Sequence, residues 1–157
     1  MTKQKAAIVL SLYLALVSAA SAQSILDASN VNEIVTIAKS YGPADLVTRD
    51  SGDPRISGTI GGLPYQLFFM NCTDGKACED INFYAGFTDT KPTLDAINDW
   101  NRSKRFGKAY LDSELDAVIE YDVNLEHGVT RDNLDAAFSL WSQLVPEYAA
   151  FVGYRSQ

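Results

Sequence analysis

The sequence of 157 residues is poor in the side chains that most often carry catalysis or hold metals. It contains one histidine, His127, and two cysteines. It has no Gly-x-Ser-x-Gly nucleophile elbow, no glycine-rich phosphate-binding loop and no Asp-x-Asp-x-Asp-Gly calcium loop. A lone imidazole just before Gly128 is more typical of a turn than of a catalytic triad. The sequence therefore predicts no catalytic residue, no metal site and no cofactor.

Basic residues are also scarce, since 13 lysines and arginines face 20 aspartates and glutamates and the formal net charge is −7. Nucleic acids and anionic membrane surfaces are bound through basic patches that neutralise phosphates. Neither is therefore an expected partner. Hydrophobic residues make up 46% of the chain, which is enough for one packed domain without a structural metal.

Long apolar runs are missing except near the N-terminus, where Ala6–Val17 follows two lysines and precedes the small residues Ala20–Ala22. This order is typical of a secretory signal peptide with its cleavage site. We predict a signal peptide over residues 1–22 and one mature domain over residues 23–157. A retained N-terminal anchor is the alternative, but the run is short for a membrane span. The expected location is periplasmic or secreted, without a stable membrane anchor.

Both cysteines, Cys72 and Cys78, lie in the exported part of the chain. The turn-forming pair Asp74-Gly75 lies between them, so a disulfide should staple a hairpin. A redox-active pair is the alternative. The spacing differs from Cys-x-x-Cys, and no βαβ pattern surrounds the pair. The sequence therefore predicts a structural disulfide.

Three stretches carry apolar residues at helical spacing: Val31–Tyr41, Leu94–Trp100 and Leu134–Tyr148. The segments between the first two, and after the second, contain short apolar runs separated by Gly, Pro and Asp turns. Such closely spaced runs favour antiparallel hairpins over βαβ crossovers. We predict an α+β fold, with an antiparallel sheet of about five to six strands and three helices packed on it.

Local signals give three further expectations for these helices. Asn30 with Glu33 resembles a capping box at the start of the first helix. Pro146 has no backbone N–H to donate, so a kink or break is expected near Ser142–Val145. Three residues of the middle helix should be anchored in the core: Leu94, Ile97 and Trp100.

Asn98 and Asn101 lie three residues apart, on one side of the middle helix. Their amides could tie the helix to neighbouring backbone, or they could recognise an extended peptide or a small polar ligand. Arg102 and Arg105 add positive charge to an otherwise acidic chain, where an acidic partner could make contact. The candidate scaffold or partner-binding residues are Asn98, Trp100, Asn101, Arg102 and Arg105.

Six segments together resemble the YbjN family, the bacterial sensory transduction regulator domains. They are Arg55–Gly61, Tyr65–Phe69, Ile97–Asn101, Arg105–Asp112, the strand Ala117–Val123 and Gly128–Thr130. The resemblance extends over about residues 25–151 and defines no catalytic residue. It implies a fold like that of the type III secretion chaperones and a non-enzymatic role. The expected signal peptide departs from the cytoplasmic location usual for the family.

These observations predict an exported, non-enzymatic binding or chaperone-like module with regulatory potential, whose partner is an unidentified protein or a second copy in a homodimer. A purely structural envelope protein is another possibility. The competing enzyme class is a small envelope hydrolase with two carboxylates. Five acids lie close together in sequence, and a solvated sheet face is the simpler interpretation of them. They are Asp112, Glu114, Asp116, Glu120 and Asp122.

Overall fold

The computed structural model describes residues 24–155, so the expected signal peptide over residues 1–22 lies outside the described residues. Eleven elements follow one another along this part of the chain. They are β1 (Ile25–Leu26), α1 (Val31–Lys39), β2 (Ala44–Thr48), β3 (Pro54–Ile60), β4 (Leu63–Met70), β5 (Asp80–Phe87), α2 (Leu94–Ser103), β6 (Lys108–Leu111), β7 (Ala117–Asn124), β8 (Val129–Thr130) and α3 (Arg131–Phe151).

Six strands form one sheet in the order β2-β3-β4-β5-β7-β6, and every neighbouring pair is antiparallel. The short strands β1 and β8 form a separate antiparallel pair. Three helices accompany the sheet, so the predicted α+β fold with an antiparallel sheet and three helices is confirmed. The sheet has two margins, which are strand β2 at one end and strand β6 at the other.

The hairpin from β3 to β4 shows how local sequence sets the register of the sheet. Gly61 and Gly62 both have positive φ values, 59° and 83°, and they connect the paired residues Ile60 and Leu63. A two-residue turn with two positive φ values matches the right-handed twist of the flanking strands. Glycine reaches these angles without steric cost, so this dipeptide fixes which residues of β3 and β4 face each other.

Helix α3 covers one face of the sheet through a cluster of buried aromatic rings. The Phe83 ring centroid on β5 lies 4.9 Å from that of Phe138 and 5.4 Å from that of Trp141. Trp141 also meets Tyr65 on β4 edge-on at 6.5 Å. All four side chains are buried. Such edge-to-face contacts add to the burial of large apolar surfaces, so this cluster is the centre of the core.

Gly58 on β3 is required by the same core. It lies directly opposite Tyr65 on β4, and a Cβ atom at this position would come within 2.6 Å of the Tyr65 ring. The Tyr65 ring thus fills the space where a side chain would stand on the neighbouring strand. Burial raises the pKa of Tyr65 to about 12, so its phenol is protonated throughout the physiological range.

The start of α1 differs from the predicted capping box. Asn30 is the N-cap residue, but its side chain makes no capping hydrogen bond to α1. Its Oδ1 instead accepts from the backbone N–H of Asp27 at 2.9 Å. Glu33 accepts from the Arg131 guanidinium at 2.9 Å, across to the start of α3. The capping-box prediction is wrong because both side chains have partners in other segments.

Of the kink or break expected near Pro146, the break is wrong, since α3 is one helix from Arg131 to Phe151. Proline removes one backbone hydrogen bond and costs about 3 kcal/mol inside a helix. Buried residues lie on both sides of it, including Trp141, Val145 and Tyr148. Their packing on the sheet keeps the two halves of α3 in one continuous helix, which offsets the local cost.

Leu94 is not a core anchor. Its side chain is 68% exposed, whereas Ile97 and Trp100 are buried as predicted. Leu94 is the first residue of α2, directly after the N-cap Thr93, whose hydroxyl accepts from the Ala96 N–H. The first turn of α2 therefore extends beyond the core that the next two turns contact.

The predicted disulfide between Cys72 and Cys78 is present, with an S–S distance of 2.06 Å. It closes the loop between β4 and β5. The turn inside it is held by two backbone hydrogen bonds between Thr73 and Lys76, at 2.8 and 3.0 Å. The disulfide and this turn together fix the connection between two neighbouring strands of the sheet.

Candidate functional site

The face of the sheet opposite α3 carries no helix in the part of the chain that the structure describes. Its side chains come from alternate positions of the six strands. We call this surface the open face, and its principal residues are Asp45, Arg55, Ser57, Gln66, Phe68, Asn82, Tyr84, Lys108, Tyr110, Val118, Glu120 and Asp122. Most of them are half-buried by their neighbours on the sheet.

Aromatic side chains occupy the middle of the open face. The rings of Phe68 and Tyr84 meet edge-on with centroids 5.9 Å apart, and the Arg49 guanidinium lies 5.3 Å from the Phe68 centroid. A cleft of about 250 Å³ beside them is lined by residues that include Gln66 and Asp112. Rigid aromatic rings surrounded by polar groups are typical of protein contact surfaces.

Charges on the open face are unevenly placed. Arg49 and Arg55, on the side of β2 and β3, have no ion pair among residues 24–155. On the other side, Glu120 accepts from Lys108 at 2.7 Å and from the Tyr110 hydroxyl at 2.8 Å. Asp122 accepts from the Asn82 amide at 2.7 Å. The open face is therefore basic along one part of its margin and acidic on the opposite side.

Burial, together with the hydrogen bond to Glu120, raises the pKa of Tyr110. Burial, and the negative charges of Asp112 and Glu120, also raise the pKa of Tyr84. Both phenols consequently remain protonated at neutral pH, and the Tyr110 hydroxyl donates to Glu120.

The margin of the sheet at β6 is closed by one side chain from α2. The Asn101 amide nitrogen donates to the Ala109 carbonyl at 3.0 Å, and its oxygen accepts from the Ala109 N–H at 3.0 Å. Asn101 thus makes the two hydrogen bonds that a neighbouring strand would make at this position. Helix α2 packs beside β6, so this margin is covered.

The margin at β2 is different. Backbone hydrogen bonds run from the Thr59 N–H to the Pro43 carbonyl and from the Arg49 N–H to the Asp53 carbonyl. In this register the odd-numbered residues of β2 make the backbone hydrogen bonds to β3. In an antiparallel pair the alternate residues direct their N–H and C=O groups away from the partner strand. These outward residues form what we call the free edge: Ala44, Leu46 and Thr48.

No other described strand pairs with the free edge. The side chain of Leu46 is 45% exposed in the middle of it. Proteins usually protect such edges with charge, proline, a bulge or a covering element, because an unpaired strand is a template for another strand. On β2 the exposed apolar side chain of Leu46 lies next in sequence to the exposed acid Asp45.

Among the candidate residues from the sequence, Asn101 makes a hydrogen bond to the backbone of Ala109. Trp100 is 1% exposed, and its ring centroid lies 4.9 Å from that of Tyr148. Asn98 is exposed, with no hydrogen bond to any described residue. Arg102 pairs with Asp99 on its own helix. Of the group, Asn101 alone connects α2 to the sheet by a side-chain hydrogen bond.

The basic stretch after α2 is largely neutralised by acids. Lys104 pairs with Glu147, and Lys108 pairs with Glu120. Arg105 is exposed and has no ion pair within the described part of the chain. Any contact with an acidic partner through this stretch stays a prediction, and Arg105 is the residue with the charge available for it.

The acids that a hydrolase would use have local structural roles. Asp112 accepts from the backbone N–H groups of Glu114 and Asp116, at 3.0 and 2.8 Å. Asp116 accepts from the Asp89 N–H at 2.9 Å and from the Lys91 ammonium at 2.6 Å. In residues 24–155, no group of three or more acids, histidines or cysteines is placed to hold a metal ion.

The hydrogen bond from Lys91 holds the pKa of Asp116 below its usual value, with help from the Asp89 N–H. A general acid needs a shift in the opposite direction. A similar lowering of the pKa of Asp27 comes from hydrogen bonds with Ser29. His127 is exposed in a turn with a positive φ of 65°, beside Glu126. These groups therefore give the hydrolase alternative no support.

The lowered pKa of Asp116 predicts a stability difference that depends on pH. A carboxylate whose pKa is lower in the folded state than in the unfolded state stabilises the fold at pH values above its unfolded pKa, which is about 3.9 for an aspartate. This contribution is lost as the pH falls through the pKa of the folded state. Urea unfolding from pH 7 to pH 2.5 should show the wild type more stable than Asp116→Asn down to about pH 5. The difference should shrink below that pH.

Glu114→Gln is a suitable control because it removes a neighbouring exposed carboxylate that has no described lysine or arginine partner. It should leave the pH dependence of unfolding close to that of the wild type. A stability difference for Asp116→Asn that stays constant from pH 5 to pH 2.5 would show that the ion pair with Lys91 does not hold the loop.

Within residues 24–155, these features define an α+β module whose aromatic sheet face carries no helix and whose β2 edge pairs with no further strand. The family model YbjN, described as "Putative bacterial sensory transduction regulator", matches residues 30–153. The chain belongs to the YbjN family. No curated protein matches the sequence. Among the helices of residues 24–155, none has the length and apolar character needed to cross a membrane.

Proposed function

We propose that this protein is an exported, non-enzymatic binding module that holds an extended segment of a partner protein on the free edge of β2. The single observation behind this proposal is the difference between the two margins of the sheet. Asn101 and α2 close the margin at β6, whereas the outward groups of Leu46 and its neighbours have no described partner strand.

An added strand would make backbone hydrogen bonds to three residues of the free edge: Ala44, Leu46 and Thr48. Each such bond contributes about 0.5–1.5 kcal/mol net, so several together give useful affinity with little dependence on sequence. Selectivity would come from the exposed side chain of Leu46, which offers an apolar contact at the centre of the edge. The partner segment should carry an apolar residue opposite it.

Two observations support export to an oxidising compartment. The Cys72–Cys78 disulfide is of the kind that persists outside the cytoplasm. The sequence of residues 1–22 has the pattern of a cleaved signal peptide. The regulatory description of the YbjN family fits a module that changes the availability of its partner by binding it. We therefore place this activity in the periplasm or outside the cell.

Peptide selection with the disulfide-intact mature chain tests the proposal. Peptides of about ten residues would be selected by display and their affinities measured by fluorescence anisotropy. Leu46→Pro removes an N–H that points away from β3 and leaves the ladder to β3 intact, since proline is tolerated on edge strands. The expected result is at least a tenfold loss of affinity for Leu46→Pro.

The matched control is Leu46→Thr, which keeps the backbone donor and shortens the apolar contact. It should weaken binding less than Leu46→Pro does. Unfolding in urea checks that both variants remain folded. Unchanged affinity for a folded Leu46→Pro protein would rule out binding at the free edge.

A further inference from the structure

Two arginine side chains lie close to one aromatic ring at the end of the open face that adjoins the free edge. Arg55 on β3 is paired in register with Val47 on β2 and with Phe68 on β4. The guanidinium of Arg49, from the turn after β2, lies 5.3 Å from the centroid of the same Phe68 ring. Residues paired across strands share a face of the sheet, so both cations adjoin Phe68 on the open face.

Neither arginine side chain has an ion pair or a hydrogen bond among residues 24–155. The Nε atom of Arg55 is buried without an acceptor in this part of the chain. A buried donor without an acceptor is unfavourable, and two neighbouring cations repel each other. An anion bound between Arg49 and Arg55 would relieve both costs. The planar fork of donors on a guanidinium matches a carboxylate in particular.

A cavity of about 300 Å³ provides the space for such an anion. It is lined by Thr48, Arg49, Asp50, Ser51 and Arg55. Asp50 is exposed and forms no ion pair with either arginine in the described chain. The other acid of this turn, Asp53, accepts a hydrogen bond from the Ser51 hydroxyl at 2.8 Å. The carboxylates of the turn itself therefore leave the two guanidinium groups available.

The turn that carries Arg49 is held in place by backbone contacts. The Arg49 N–H donates to the Asp53 carbonyl at 3.0 Å, and the Gly52 N–H donates to the Arg49 carbonyl at 2.8 Å. The disulfide loop packs against this turn, since a Cβ atom at Gly75 would come within 2.6 Å of the Gly52 carbonyl oxygen. The Cys72–Cys78 disulfide therefore supports the turn from the neighbouring loop. A site fixed in this way loses less conformational entropy on binding.

We propose that Arg49 and Arg55 bind a carboxylate of the partner segment, so that the partner of this protein is an acidic peptide segment. This inference rests on the proposed function, because the segment must lie along the free edge. Thr48 belongs both to the free edge and to the wall of the cavity. A strand added to the free edge therefore passes the arginine pair, and its own aspartate or glutamate side chain is the anion within reach.

Strand alternation determines where the acid must be in the segment. Asp45 and Val47 place their side chains on the open face, and Leu46 places its side chain on the other face. A partner side chain that reaches the arginine pair is therefore an odd number of positions from the apolar one opposite Leu46. Asp45 repels a carboxylate on one side of Leu46. The acid should thus lie one or three positions from the apolar residue, on the side that passes Thr48.

Peptide display with the disulfide-intact mature chain tests the inference through the sequences that are enriched. The wild type should enrich peptides with aspartate or glutamate one or three positions from an apolar residue. The double variant Arg49→Gln/Arg55→Gln should enrich the apolar residue without the acid.

Arg155→Gln is the matched control, with the same chemical change at an exposed arginine that has no ion pair in the described chain. Arg155 lines a different cavity together with Gly62, which follows the end of β3 opposite to Arg55. This variant should enrich the acid as strongly as the wild type does.

Fluorescence anisotropy with one enriched peptide measures the contribution of the acid. Exchanging its glutamate for glutamine should weaken binding to the wild type at least tenfold and binding to the double variant less than twofold. Sodium chloride should reduce the wild-type difference, because salt screens exposed charges. Arg49→Gln alone is the second variant in case the replacement of Arg55 impairs folding, since Arg49 is exposed in a turn. It should reduce the effect of the acid at least threefold.

The outcomes separate this inference from the proposed function. Peptides without an enriched acid that still lose affinity for Leu46→Pro would overturn the carboxylate site and leave binding at the free edge intact. Acidic peptides that bind Leu46→Pro as tightly as the wild type would overturn both, and so would a selection that enriches no peptide. Tenfold tighter binding of the same peptide with phosphoserine in place of its acid would assign the arginine pair to a phosphate and overturn the carboxylate.

Discussion

Replacing Trp141 with alanine should lower the free energy of unfolding by about 3–5 kcal/mol, the largest effect expected from a single substitution in this chain. Trp141 is fully buried and meets the rings of Phe83 and Tyr65 on two neighbouring strands. Removing the indole loses these contacts and leaves a cavity between α3 and the sheet. Urea unfolding followed by circular dichroism measures the difference.

Phe151 provides the matched control because it lies on the same helix and is 44% exposed. Phe151→Ala should cost much less, since water already reaches a large part of its ring. Comparable losses for the two variants would mean that Trp141 does not lie at the centre of the core.

Replacing Asn101 with alanine should lower the free energy of unfolding by about 2–3 kcal/mol. The substitution leaves both the N–H and the C=O of Ala109 without their Asn101 partners, and each unpaired group costs about 1–3 kcal/mol, less where water enters. Ala109 is itself buried.

Asn98→Ala is the control for this effect, with the same chemical change three residues earlier on the same helix. Asn98 is exposed without a described hydrogen bond, so its replacement should change stability by less than about 0.5 kcal/mol. Equal effects for the two asparagines in chemical denaturation would refute the closing role of Asn101.

The fold class was predictable because local signals agree with one another. Ile81, Phe83, Ala85 and Phe87 alternate with polar or small residues, and all four are buried on one face of β5. The Gly61-Gly62 turn fixes a hairpin, and the cysteine spacing predicts the disulfide. The predictions from local sequence fail where contacts between residues far apart in the chain determine the structure. The sequence around Pro146 shows the lost hydrogen bond but not the packing on the sheet that keeps α3 one continuous helix.

The candidate site was only partly predictable, for a similar reason. The paired asparagines in α2 indicate a tie to nearby backbone or a ligand, but the choice of Ala109 depends on how α2 lies against β6. Leu46 on the free edge was not among the candidate residues. An edge is a property of strand order, and no feature of the segment Ala44–Thr48 shows that β2 has one neighbour. The alternation in β5 predicts that Tyr84 lies on the face opposite Phe83, whereas Phe68 could be placed on the open face only once the register was known.

The surfaces of this YbjN-family chain have separate roles in our account. One margin of the sheet is closed by Asn101 and α2, and in our account the other binds a partner segment.

Hydrogen exchange of the backbone amides, measured by NMR with and without a selected peptide, tests binding at the free edge most directly. In the free protein the Ala109 amide should be protected by Asn101, while the amides of Leu46 and Thr48 should exchange quickly. Saturating peptide should slow exchange at Leu46 and Thr48 by at least tenfold and leave Ala109 unchanged. Bound peptide with fast exchange at both β2 amides, or strong protection of both before peptide is added, would contradict the account.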